Sequence, residues 1–322
     1  MKGYKAFEKG LICRGKQYAE NTVFEEERAE ICRKGMHFCE NPFDVLDYYN
    51  LVNDDGTFND FAEVEALDDV KTDDNKKLCT TKLKIGAKLS FGNFVNACVD
   101  FVLEKTKHKK GECTENDNGG DSAQIGSSGD SAQIGSSGDY AKIGSSGYSA
   151  KIGSSGYSAK IGSSGDSAKI GSSGYYAQIG SSGDYAKIGS SGDYAQIGSS
   201  GYYAKIGSSG DSAKIGSSGY YAQIGSSGNS AKIGSSGYYA QIGSSGDYAK
   251  INSEGKYAVI CCAGYGSIAK GKVGSWITLS EWEYSPTEKA HIPICVKTRK
   301  IDGKRIKADT FYKLVNGKFV EV

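Results

Sequence analysis

Proline is almost missing from this chain, with 3 among 322 residues. That argues against a collagen-like or polyproline architecture, although every third residue of a long internal segment is small. Histidine is also scarce: His37, His108 and His291 are the full set. No Ser/His/Asp or Cys/His constellation is visible, and neither a P-loop nor a G-x-G-x-x-G occurs. Charge excess is absent, since 39 Lys and Arg face 38 Asp and Glu. A strongly electrostatic nucleic-acid or membrane-surface binder is therefore disfavoured.

Long apolar runs are absent too. None approaches the ~18 residues needed to span a bilayer, so no membrane segment is expected. The opening "MKGYKAFEKGLICRGKQY" lacks the apolar core of a secretory signal. Nine cysteines, odd in number and irregular in spacing, suit reduced thiols better than a disulfide framework. A soluble cytoplasmic protein without a cofactor is the expectation.

What the chain has instead is repetition. From Gly120 a nine-residue unit runs fourteen times with an unbroken "IGSS" ending, to Ser245. The degenerate copies "GDYAKINSE" and "GKYAVICCA" bring the total to sixteen at Ala263. Position four is Ala and position six is Ile, so on a strand both point to one side, while the Gln or Lys between them points to the other. Gly-Ser-Ser-Gly supplies the turn. One strand this short has no core of its own and must stack on its neighbours. A disordered Gly/Ser linker would not hold Ala-x-Ile in register so long.

Positions two and five carry a second period. Between Gly210 and Ile251 they read Asp with Lys, Tyr with Gln, Asn with Lys, Tyr with Gln, Asp with Lys. That is a period of eighteen, hence two strands per coil, with an Asp/Asn and Lys face and a Tyr and Gln face. Sixteen units then make eight coils, roughly 38 Å at ~4.8 Å per layer. The expected fold is mainly β: a flattened parallel β-solenoid over 120–263 between an α+β head, 1–110, and an antiparallel β cap, 264–322, with a linker at 111–119. Near-identical copies suggest that the length of the array is adjustable. Calcium binding is disfavoured, because the Asp follows Gly directly and is often replaced by Tyr or Asn.

In the head, "ENPFDVLDYYNLV" predicts a helix capped by Asn41 with Pro42 at its first position. "SFGNFVNACVDFVLEKTK" predicts a second, capped by Ser90, with a stripe of Phe91, Phe94, Cys98, Phe101 and Val102. In the cap, Asp302-Gly303 and Asn316-Gly317 are expected to turn hairpins. Cys13, Cys32, His37 and Cys39 are a weak zinc set, since their spacing is not C-x-x-C. Tyr202, Tyr203, Tyr220, Tyr221, Tyr238 and Tyr239 fall into ladders that suit recognition of a protein or of another copy.

Two resemblances follow. "GYKAF…CRG…GMHFCENPFDVLDYY", the nonapeptides and "SWITLSE…DGKRIKADTFYKLVNGKFVEV" together resemble a family of uncharacterised proteins of gut bacteria and their phages. That likeness implies a phage or prophage setting, in host cytoplasm or virion, and brings no activity. The head is also similar to ADP-ribosyltransferases. By that resemblance Arg14 would hold the nicotinamide dinucleotide, and the second carboxylate of the Glu63/Glu65 pair would stabilise the oxocarbenium; Cys39 and Glu40 stand where that family has its S-T-S element.

Overall fold

The computed structural model describes all residues other than 32, 75, 107–115 and 118–119, with 116 and 117 described in backbone only. Cys32, His108 and nearly all of the expected linker therefore lie outside the described residues. The centre is a parallel β-solenoid of about 9 turns between residues 124 and 279. Each unit gives one four-residue strand, such as Lys187–Ser190, and strands eighteen residues apart pair in parallel. Two stacked sheets result, each eleven strands long once the ends are counted.

Why the units stack this way is visible in the register. Ile pairs with Ile, as Ile143 with Ile161 and Ile161 with Ile179, and Gly with Gly, and Ser with Ser. Ala and Ile from both sheets interdigitate in a thin core in which every position-four Ala from Ala132 to Ala258 is fully buried. Each buried Ile contributes roughly 1.5–3 kcal/mol against an exposed one. Gly at position one is required by contact: a Cβ on Gly201 would lie 1.9 Å from the carbonyl oxygen of Gly183, one coil earlier. No larger residue fits that corner.

The ladder continues past Ala263 through units that no longer spell the motif. Ile268–Lys270 pairs in parallel with Lys250–Ser253, and Trp276–Ser285 pairs in parallel with Val259–Cys262. Antiparallel strands then finish both sheets. Ala290–Lys300 closes one, and Tyr312–Val315 with Lys318–Glu321 closes the other. Asn316 and Gly317, at φ 50 and 66, make the two-residue turn expected of Asn-Gly. Asp302-Gly303 does something else. Its carboxylate Oδ1 accepts from the amides of Lys304, Arg305 and Ile306, and this loop carries the chain from one sheet to the other. Ile301 and Ile306 thereby cover the end of the core.

The head holds a four-stranded antiparallel sheet in the order Lys2–Phe7, Asp60–Ala66, Lys82–Leu89, Val23–Glu25. The helix Phe91–Thr106 follows, with Ser90 Oγ accepting from the Asn93 amide. Its neighbour differs from expectation: Pro42–Asp47 is a 3-10 segment, although Asn41 does cap it. Two carbonyls that an α-helix would use internally are taken from outside. Lys160 Nζ donates to the Phe43 oxygen (3.0 Å) and Gln178 Nε2 to the Leu46 oxygen (3.2 Å).

Gly201→Ala should lower the thermal midpoint by several degrees, because its Cβ meets backbone. Gly207→Ala, whose Cβ meets nothing within 4 Å, should shift stability by no more than ~1 kcal/mol. Thermal denaturation of the two single variants against the parent checks the contrast.

Candidate functional site

The two sheets present outer faces built from the same letters, and among the described residues only one of them is bare. On both, position five (Lys or Gln) and position seven (Gly) point outward. The row of glycines leaves a trough along the stack. On one sheet this trough is filled by the head. Cβ atoms built on Gly126, Gly144, Gly180 and Gly198 would meet Leu103, Val99, Val95 and Phe91 respectively within 3.4 Å. Those helix residues are four apart, so one side chain descends onto each glycine or so. Twelve residues of helix rise about 18 Å, and four coils rise about 19 Å. The helix therefore lies along the solenoid, with its other side stacked on the head sheet through Phe94 and Phe61 (ring centroids 3.8 Å apart).

The position-five row of this face is met by residues 44–54. Lys142 pairs with Asp44 and Lys160 with Asp47, each at 2.5 Å. Gln196 accepts from the Leu51 amide (2.6 Å) and donates to Asn50 (2.9 Å). Asp54 lies between Lys214 (2.7 Å) and Lys232 (3.1 Å), whose hydrogen bonds hold its carboxyl down to about 2. Asn252, which replaces Gly at position seven, donates to the Asp55 carbonyl. The head thus contacts particular units from Gly126 to Asn252, so the register of those units is tied to the head.

On the opposite face the trough is open. Built Cβ atoms on Gly135, Gly153, Gly171, Gly189, Gly207, Gly225 and Gly243 meet nothing. The trough is shallow and open to solvent, about 1300 Å³ in volume, and ends where Cys261 replaces Gly. Lys151, Lys169, Lys187 and Lys205 stack in register along it and are all exposed. Among the described residues no acidic side chain reaches them.

The corners carry the Tyr and Asp ladders. Tyr202, Tyr220 and Tyr238 stack at 5.3 Å intervals. Tyr203, Tyr221 and Tyr239 form a second column at 5.0 and 5.1 Å. All six remain exposed by more than a third. The Asp/Asn column is structural: Asp193, Asp211, Asn229 and Asp247 each accept from the position-two amide one coil on, at 2.7–3.0 Å. Only an acceptor oxygen is used, which is why Asn229 can stand in for Asp.

The head has a cavity of about 550 Å³ lined by Lys5, Cys13, Arg14, Tyr18, His37 and Cys39 among others. Lys5 is buried, donates to the His37 carbonyl (2.8 Å), and is pushed below its ordinary pKa by that burial. Burial, aided by Lys77, Lys5 and Arg14, pushes His37 down to about 4, and burial pushes the Cys39 thiol up to about 12. A thiolate–imidazolium pair is disfavoured on both sides. Cys13 accepts from the Tyr49 hydroxyl (3.0 Å). Among the described residues no three His, Cys, Asp or Glu converge as metal ligands, and the fourth zinc candidate, Cys32, lies outside them. Arg14, at φ 50 with Gly15 at φ 78, is the first residue of the two-residue turn between Ile12–Cys13 and Lys16–Gln17. It lines the cavity, whereas Glu63 and Glu65, on the strand paired with Lys2–Phe7, do not.

Residues 1–97 match a family model described as a domain of unknown function (DUF7666). No curated protein and no solved structure matches the chain. No helix among the described residues is long and apolar enough to cross a membrane.

The charge pairs of the covered face give two expectations. Asp44→Ala leaves Lys142 partly buried without its partner and should cost ~3 kcal/mol in chemical denaturation. Asp54→Asn should cost only ~0.5 kcal/mol at pH 7, because that side chain is largely exposed. A carboxyl whose folded pKa is depressed stabilises above its ordinary value near 4 and ceases to do so as pH falls toward 2. The Asp54→Asn difference should therefore vanish across that window.

Proposed function

We propose that this is a non-enzymatic interaction protein in which a capped β-solenoid presents one free face and its Tyr-lined corners to a partner. One observation carries the reading. Two faces of like sequence have opposite fates, one neutralised and filled by the head and the other, among the described residues, left with an open trough and a lysine ladder that no acidic side chain reaches. Like charges stacked directly opposite are unfavourable unless something offsets them. On the covered face Asp44, Asp47 and Asp54 do so. The Tyr columns add rigid, exposed aromatic area of the kind that interfaces favour. A phage or prophage setting, in host cytoplasm or virion, is the context we assign from the family likeness.

A transferase head is the lesser reading, because Arg14 occupies a turn and neither Glu63 nor Glu65 lines its cavity. The interaction reading is tested in the producing cell by a photo-crosslinking residue placed at Tyr221, at Lys187 or, on the covered side, at Ser182. Adducts of one discrete mass at Tyr221 and Lys187, and none at Ser182, are expected. Equal yields at all three sites, or no adduct from a protein that is monomeric by light scattering, would contradict it.

A further inference from the structure

We infer that the open trough is a docking groove for an acidic amphipathic α-helix of about twenty residues, supplied by a partner protein. The inference rests on the interaction reading above and names the class of partner.

The chain itself shows what such a trough accepts. On the covered face the occupant is an α-helix lying along the stack, with Phe91, Val95, Val99 and Leu103 descending onto Gly198, Gly180, Gly144 and Gly126, and Gly162 between them met by Val99 and Phe43. The match is geometric. A helix offers a side chain on one line every four residues, a rise of about 6 Å, and the coils offer a glycine every ~4.8 Å, so four-residue steps pass over about one glycine in five, as at Gly162 on the covered face. On the free face the same Gly row repeats seven times before Cys261 closes it. Six intervals span about 29 Å, which is about twenty residues of helix.

Charge decides between occupants. The wall of the free trough is Lys151, Lys169, Lys187 and Lys205, followed by Gln223 and Gln241. A second copy seated face to face would set lysine against lysine in either direction. The chain's own helix is already held between the head sheet and the covered face. A nucleic-acid backbone could meet the lysines, but the floor of Gly and Ile would then gain no apolar cover. An acidic helix satisfies both: apolar side chains over the glycines, and carboxylates along one flank beside the four lysines. On the covered face those two tasks fall to the helix and to Asp44, Asp47 and Asp54. The partner helix combines them.

The test uses the full chain and three labelled synthetic probes of about twenty residues. One is a stapled helix carrying the apolar spacing of Phe91, Val95, Val99 and Leu103 with glutamates along one flank. The second has the same composition in scrambled order, and the third is polyglutamate. Binding by fluorescence anisotropy should be one to one for the first probe and should weaken with salt. Gly189→Leu, which fills the trough, and the Lys169→Glu, Lys187→Glu double variant should each weaken it by about tenfold or more. Gly189→Ala should weaken it less than Gly189→Leu, and circular dichroism should show all variants folded.

Equal binding of polyglutamate, or helix binding indifferent to Gly189→Leu in folded protein, overturns the helix and leaves a charge-reading interaction face standing. Failure of all three probes, with crosslinked adducts still forming at Lys187, also overturns the helix but not the interaction reading. Failure of the probes together with absence of adducts overturns both.

Discussion

The in-register stacking of identical residues eighteen apart is the constraint from which the rest of this structure follows. Ile must lie on Ile because only a continuous apolar column makes a core from strands four residues long. Once that register is set, every other position stacks on the same position one coil away. Gly lies on Gly at the corner with no room for a Cβ. Asp reaches the next coil's amide, and Tyr lies on Tyr. The same rule places Lys over Lys, which is unfavourable unless a counter-charge arrives.

That unfavourable column divides the molecule. Residues 44–54 of the head bring carboxylates to one lysine row, and the helix Phe91–Thr106 fills the adjoining glycine trough. Nothing in the described chain does the same for the other row. The head is therefore more than an end cap. It spans the array from Gly126 to Asn252 and fixes which units lie beneath which head residues. The 3-10 geometry of Pro42–Asp47 belongs to this contact, since Lys160 and Gln178 take carbonyls that a longer helix would have kept.

Much of the fold could be read from the sequence because its signals are local and repeated. Ala-x-Ile gives the strand and its inward side, the alternation of positions two and five gives two strands per coil, and Asn316-Gly317 gives its turn. The contacts that make the site were harder to see because they join residues more than ninety apart, as Asp44 and Lys142 or Asp47 and Lys160. One signal did exist: an outward strand position held as Gly through fourteen copies, where Gly costs stability and marks close backbone approach. Asp302 shows the opposite error: with Gly303 it suggested a hairpin turn, and its carboxylate instead gathers three amides in the loop between the two sheets.

Graded acetylation of the intact protein, read lysine by lysine with mass spectrometry, tests the asymmetry of the two faces most directly. Lys160 and Lys169 stand nine residues apart at the same place in the repeat, in units that differ only at Tyr157 and Asp166. Lys142 and Lys160, covered by the head, should react far more slowly than Lys151 and Lys169. Equal rates at Lys160 and Lys169 would contradict it, because the head would then not be seated on either face.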